Sequence, residues 1–318
     1  MAPTGRPRVP GHECKPLHCK LESSARVSRQ TLRRSPLNHL LRQAFAIAVL
    51  FTVVNFAPLH AQTPHNEYTP KSGQPGKDIV WVPSPTVMVE KLLDMARVTP
   101  SDYVIDLGSG DGRNVIAAAK RGARAHGIEY DAELVEFSKR AAAKAGVADK
   151  ATFEKADIFA SDFSKATVIV LFLTPEMNIR LRPKLLALKP GARIVANTFA
   201  IGDWNADQTF TAPDNCERWC TGRLWLVPAR VEGVWKLAEG ELKLRQTYQT
   251  FTGTLKSVSE SAPVAGKLRG AEIFFNSRNT QFTGRVDGQV IDGIARTAGT
   301  DSKLHATRIG DWKAPPAK

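Results

Sequence analysis

Residues Tyr103 to Asn114 read Tyr-Val-Ile-Asp-Leu-Gly-Ser-Gly-Asp-Gly-Arg-Asn, and this stretch limits the fold more tightly than any other. A β-branched apolar run ends in an acid at Asp106, glycines follow at alternate positions 108, 110 and 112, and a helical pattern runs from Val115 to Lys120. That order predicts a strand, a tight turn and a helix start. Glycines at such a turn allow backbone angles closed to other residues and let a ligand lie directly against the main chain.

The turn excludes two common ligands. A triphosphate-binding loop ends in Gly-Lys-Ser/Thr, whereas Arg113 and Asn114 follow the glycines here. The dinucleotide fingerprint needs its third glycine three residues after the second, and Arg113 stands at that position. The carboxylate of Asp106 beside the turn would repel phosphates and favour a cationic ligand.

The run Asp-Leu-Gly-Ser-Gly-Asp-Gly from Asp106 resembles the first motif of the class I S-adenosylmethionine-dependent methyltransferases. The resemblance implies that Asp106, Gly108, Ser109, Gly110 and Asp111 hold the cofactor's amino-acid end. It also implies that Glu129, closing the apolar run Ala125 to Ile128, takes the ribose hydroxyls. Asp157, after a third strand at Ala151 to Glu154, would then take the adenine amino group, with Ile158 packed on the ring. Alone, each acid also reads as a turn former or helix cap. Three of them at successive strand ends point to one ligand crevice.

Further elements resemble a smaller group, the seven-strand lysine methyltransferases that include modifiers of the ATP synthase c-subunit. These elements are Val-Pro-Ser-Pro at 82–85, Asp-Leu-Gly-Ser-Gly-Asp-Gly-Arg, and Thr174-Pro175 followed by Leu-Arg-Pro-Lys-Leu from Leu181. The implied substrate-facing pair is Thr174 and Pro175, with Trp81 and Trp204 as candidate walls of the mouth. The acceptor is unidentified, and a protein lysine is the class the resemblance points to. The Asp/Asn-Pro-Pro-Tyr of nucleic-acid and glutamine methylases is absent, so no nucleic-acid partner is expected.

Strand and helix signals alternate from Asp102 to Phe199, which predicts a doubly wound, Rossmann-like sheet with its ligand at the strand carboxyl ends. Thr167 to Leu173 reads as a central strand buried on both faces, Asn178 to Leu188 as a helix and Arg193 to Phe199 as a strand. Ahead of these, Val87, Lys91, Leu92 and Met95 mark one face of a helix ended by Thr99-Pro100. From Val231 to Ile309 the pattern becomes period-two, with an internal echo between Gly266-Lys-Leu-Arg-Gly270 and Gly284-Arg-Val-Asp-Gly288. That predicts a small antiparallel sheet or partial barrel. The expected organisation is a basic leader at 1–62, a linker at 63–77, a methyltransferase domain at 78–228 and a small β-rich domain at 229–318.

The net charge of +13 is concentrated at one end. Residues 1–62 hold nine Lys or Arg against Glu13 and Glu22, and the rest of the chain carries only +6, a mildly basic solvated surface. The basic segment precedes an apolar run, Ala44 to Val54, and a small residue at Ala61, the layout of a secretory signal peptide. The expectation is a periplasmic or secreted protein, the alternative being an inner-membrane anchor at residues 44–60 and no other membrane contact. No methionine lies between Met1 and Met88, so a start later than Met1 and at a non-Met codon is also expected.

Cys14 and Cys19, with His12 and His18, sit in this leader and are not read as a metal site; no metal is expected. Cys216 and Cys220 read either as a short-loop disulfide of an exported protein or as two unpaired thiols. Because S-adenosylmethionine is a cytoplasmic cofactor, export leaves a second reading. In it, a non-catalytic periplasmic binding protein retains the pocket and uses its β module to bind a partner.

Overall fold

A computed structural model describes residues 68–212 and 216–311. The leader with its apolar run, the cysteines at 14 and 19, and the first residues of the linker lie outside the described residues. Among the described residues no helix is long and apolar enough to cross a membrane.

The first half alternates strands and helices: α1 (Thr86–Met95), β1 (Tyr103–Leu107), α2 (Arg113–Lys120), β2 (Arg124–Glu129), α3 (Ala132–Lys144), β3 (Ala151–Lys155), β4 (Val168–Leu171), α4 (Pro175–Leu186) and β5 (Arg193–Asn197). Two further strands, β6 (Gln208–Thr211) and β7 (Thr221–Leu226), complete a seven-stranded sheet of order β3-β2-β1-β4-β5-β7-β6. The first five strands run parallel, and β7 pairs antiparallel with β5 and with β6. Strand order reverses between β1 and β4, which opens a crevice at their carboxyl ends. The expected doubly wound sheet is therefore present.

Every residue of β4 (Val168, Ile169, Val170, Leu171) is buried because helices cover both faces of a parallel sheet. The run predicted as one strand from Thr167 to Leu173 stops pairing at Leu171, and its last residues turn over the crevice. Helix α4 begins earlier than expected, at Pro175, whose fixed φ suits the first helical position. Thr174 caps it, its hydroxyl accepting from the Met177 N–H at 3.4 Å. In α1 the buried stripe is Met88, Val89, Leu92, Leu93 and Met95, with Val87 and Lys91 only half-buried. The stripe is rotated relative to the expected face because the helix lies against β5 and β7, where Gly222 leaves room for Met88, Leu92 and Met95.

The second half is a meander: β8 (Gly233–Leu237), β9 (Gly240–Thr247), β10 (Thr250–Ser257), β11 (Ser261–Arg269), β12 (Glu272–Ser277), β13 (Thr280–Asp287), β14 (Val290–Thr297) and β15 (Thr300–Gly310). It closes into a barrel because β15 pairs with β8, so the antiparallel module has no open edge. Alternate side chains fill the interior, among them Trp235, Leu242, Leu244, Phe251, Ile273, Phe275 and Ile291. Gly266 serves this packing, since a Cβ there would overlap the Phe251 ring.

The barrel leans on the far end of the mixed sheet. Ala229 N–H donates to the Gly270 carbonyl, and the Gln249 amide donates to the Asn205 carbonyl. Trp204 lies between the two halves, stacked on Tyr248 at 5.9 Å and tilted against Trp225 at 6.3 Å. It is 1% exposed. The expectation that Trp204 walls the crevice mouth is thus corrected: its large apolar surface is spent on the seam between sheet and barrel.

Candidate functional site

At the carboxyl ends of β1, β2, β3, β4 and β5 lies a cavity of about 260 Å³. Gly108, Ser109, Gly110, Asp111, Glu129, Asp157, Ile158 and Thr174 all line it, so the topology brings most of the expected residues together. Asp106 and Pro175 do not line it. Pro175 is exposed in the first turn of α4. Asp106 is 2% exposed and lies beneath the glycine turn, its carboxyl accepting from the Asn114 amide at 3.1 Å.

The turn is built from positive φ angles at Gly108, Gly110 and Gly112, of 80°, 54° and 79°. Gly110 has a second reason to be glycine, because a Cβ would overlap the indole nitrogen of Trp81. Trp81 arrives on a strap, residues 76–84, that crosses the cavity ahead of α1. Ser84 anchors the strap: its carbonyl accepts from Arg113 Nη1 at 2.6 Å, and its hydroxyl accepts from the Asn197 amide at 3.3 Å. Gly110→Ala is expected to cost about 1 kcal/mol or more of stability through left-handed strain and displaced Trp81, which chemical denaturation would measure.

Glu129 braces the turn from β2. Its Oε2 accepts from the Gly110 N–H at 2.9 Å, and its Oε1 accepts from the N–H groups of Tyr130 and Asp131 at 2.7 and 3.0 Å. Asp111 is paired with Arg113, 2.6 Å away. Asp157 accepts from Lys77 of the strap at 2.7 Å and from the Phe159 N–H at 2.8 Å. The Lys77 ammonium, helped by that N–H, holds the Asp157 carboxyl below its usual range. Burial acts oppositely on Asp106, pushing it up to about 8 against the opposing Asn114 hydrogen bond, with the Glu129 and Asp111 charges adding to the rise.

The donor set suits a cationic nucleoside. Asp78, Asp111, Glu129, Asp131 and Asp157 line the cavity, and its two lining cations, Arg113 and Lys77, are already paired with acids. The buried Ser109 hydroxyl and the Asn114 amide oxygen, both at the cavity wall, have no hydrogen-bond partner among the described residues. Ile158 adds an apolar surface beside Asp157.

Phe172, Phe199 and Trp219 also line the cavity, a set that sequence reasoning missed. The strands expected at Thr167 to Leu173 and Arg193 to Phe199 include Phe172 and Phe199, whereas pairing ends before them, at Leu171 in β4 and Asn197 in β5. Trp219 lies inside the Cys216–Cys220 loop, where the two sulfurs form a disulfide with the Cα atoms 5.8 Å apart. Of the two readings of these cysteines, the disulfide is the one present. Aromatic residues at or near the carboxyl ends of two expected strands were the available signal for Phe172 and Phe199.

Residues 106–208 match the family described as the ANTKMT methyltransferase domain. A protein-lysine N-methyltransferase of Saccharolobus islandicus is 38% identical over 139 residues, which cover 43% of this chain and 86% of the relative. An ATP synthase c-subunit lysine N-methyltransferase of Mus musculus is 40% identical over 130 residues, covering 41% of this chain and 52% of the relative. This chain therefore spans only about half the length of that mouse protein. A solved RNA methyltransferase of Salinibacter ruber, in complex with S-adenosyl-L-homocysteine, is 41% identical, with a TM-score of 0.45, over 47% of this chain and 96% of that one.

Proposed function

We propose, from the premise that this chain belongs to the S-adenosylmethionine-dependent protein-lysine N-methyltransferase family, that it methylates the side-chain amine of a lysine in a protein. The observation that carries this reading is that one cavity at the β1/β4 reversal is lined both by carboxylates and by uncharged aromatic side chains.

The cofactor supplies an electrophilic methyl on a positively charged sulfur. The chain's task is to hold that group, bring a neutral amine in line with it and exclude water. The glycine turn offers open main chain to the ligand's amino-acid end, with Asp111 beside it. Glu129 and Asp157 follow on β2 and after β3, where the ribose and adenine would extend. Phe172, Leu173, Thr174, Met177, Phe199 and Trp219 carry no charge, so an ammonium entering among them loses water. Desolvation of that kind lowers an amine's pKa and releases the neutral nucleophile without a dedicated general base.

We also propose that the protein works outside the cytoplasm, as the basic and apolar leader suggests. The Cys216–Cys220 disulfide supports this, since such bonds persist in oxidising compartments. A reporter active only outside the cytoplasm, fused after Lys318, should be active; an inactive reporter would place the enzyme inside.

The chemical test is calorimetric titration with S-adenosylmethionine and S-adenosylhomocysteine, followed by transfer of a radiolabelled methyl group to proteins of a cell extract. Binding of both ligands and label in acid-stable lysine derivatives is expected. Binding with no labelled acceptor would favour the non-catalytic binding protein, and absence of binding would remove the proposal.

A further inference from the structure

Three aromatic rings that line the cavity touch one another in a cluster. Phe172 and Phe199 stack at 6.3 Å, and Trp219 meets them at 5.8 and 5.5 Å. All three are half-buried and therefore keep surface available to the cavity.

Two of these rings are held by unusual backbone. Thr198, just before Phe199, has φ of 61°, and its carbonyl accepts from Arg223 Nε at 3.0 Å. Trp219 itself has φ of 61°, a left-handed position uncommon for a residue with a side chain. What holds it there is the five-residue ring closed by Cys216 and Cys220, together with the 2.8 Å bond from the Ala212 N–H to the Cys220 carbonyl. Strain of this kind persists only where the surroundings enforce it.

We propose that Phe172, Phe199 and Trp219 form the seat for the acceptor's alkylammonium head, and that the Cys216–Cys220 disulfide completes the seat by fixing Trp219. This rests on the methyltransferase reading of the same cavity and assigns the residues that recognise the acceptor amine. Aromatic faces attract an ammonium whose charge is spread over methyl groups and whose surface is apolar, which is the logic of aromatic cages for methyl-lysine. In this proposal the rings supply the recognition. Methylated intermediates are then retained, so that more than one methyl group is added to each acceptor.

The test uses capped Nε-trimethyl-lysine and its uncharged tert-butyl carbon isostere. Each is titrated into the full chain with saturating S-adenosylhomocysteine, following the indole N–H resonances by NMR. The Trp219 signal, assigned by its loss in Trp219→Phe, should move with trimethyl-lysine, which should bind at least tenfold tighter than the isostere. Trp219→Leu should weaken trimethyl-lysine at least fivefold, and Trp219→Phe should keep most of the affinity. The Cys216→Ser/Cys220→Ser pair should weaken it several-fold while leaving S-adenosylhomocysteine affinity within twofold. Equal binding of the two probes, or unchanged trimethyl-lysine affinity in Trp219→Leu, would overturn the proposal; an unchanged affinity in the serine pair would overturn the disulfide's part in it. If S-adenosylhomocysteine fails to bind the parent protein, the cofactor reading falls separately, and the same titrations without it still decide the aromatic seat.

Discussion

Replacing Glu129 by alanine is expected to weaken S-adenosylmethionine binding by about 2 kcal/mol or more, roughly 30-fold, for loss of charged hydrogen bonding to the ligand. Glu129 lines the cavity and also accepts from three backbone N–H groups, those of Gly110, Tyr130 and Asp131. Its loss would thus remove a ligand contact and release the turn that the ligand lies on. Glu129→Gln separates the two effects. It retains an oxygen able to brace the turn but no negative charge, and it should recover stability more fully than affinity. Titration calorimetry at constant ionic strength reads the affinity, and thermal unfolding reads the turn. Unchanged affinity in the alanine variant would rule out Glu129 as a ligand-binding group.

The second large effect is a pH dependence set by Asp106. Burial raises its carboxyl from an ordinary 3.8 to about 8 in the folded protein. Between those values the folded state holds a proton that the unfolded state has released. Stability is therefore greatest below about pH 4, as far as this group is concerned, and falls as pH rises towards 8, by up to about 1.4 kcal/mol per pH unit. Above that range both states are ionised and the slope vanishes. Asp106→Asn is nearly isosteric, carries no charge at any pH and leaves an amide beside Asn114. It should flatten the profile, so that the parent protein loses several kcal/mol relative to the variant between pH 5 and pH 8. Urea denaturation across that range measures the difference, and parallel profiles would show that Asp106 ionises normally. A cationic ligand above the turn would favour the charged form, so binding near neutral pH should release protons, detectable by calorimetry in buffers of different ionisation enthalpy.

Much of this site was legible because local chemistry sufficed for it. Alternate glycines after a β-branched run, an acid closing each of the next two strands and the strand-helix alternation each follow from backbone preference and burial period. Asp157 carries both of its readings at once, a cavity-lining acid that also accepts from the Phe159 N–H as a turn former would. What stayed hidden depends on partners distant in sequence. The strap carries Pro and Gly without periodicity, so nothing local placed Trp81 against Gly110 or Lys77 on Asp157. Phe172 and Phe199 fall within the expected strands, and only loss of strand pairing turns them into cavity wall. Trp204 could be told from a mouth residue only once Tyr248 of the barrel was known to stack on it. Closure itself was invisible, since period-two alternation describes an open meander as well as a ring, and the β8–β15 pairing joins the module's two ends.

That joining has a consequence for how the C-terminal module can be altered. A row of hairpins with free flanks tolerates the loss of its outermost member, whereas here β15 is at once the last strand and the neighbour of the first. Deleting it would leave β14 and β8 both with unpaired backbone groups, two sticky flanks able to recruit strands from other copies. Shortening the module by one strand would therefore convert a self-sufficient ring into a seed for assembly rather than into a smaller ring.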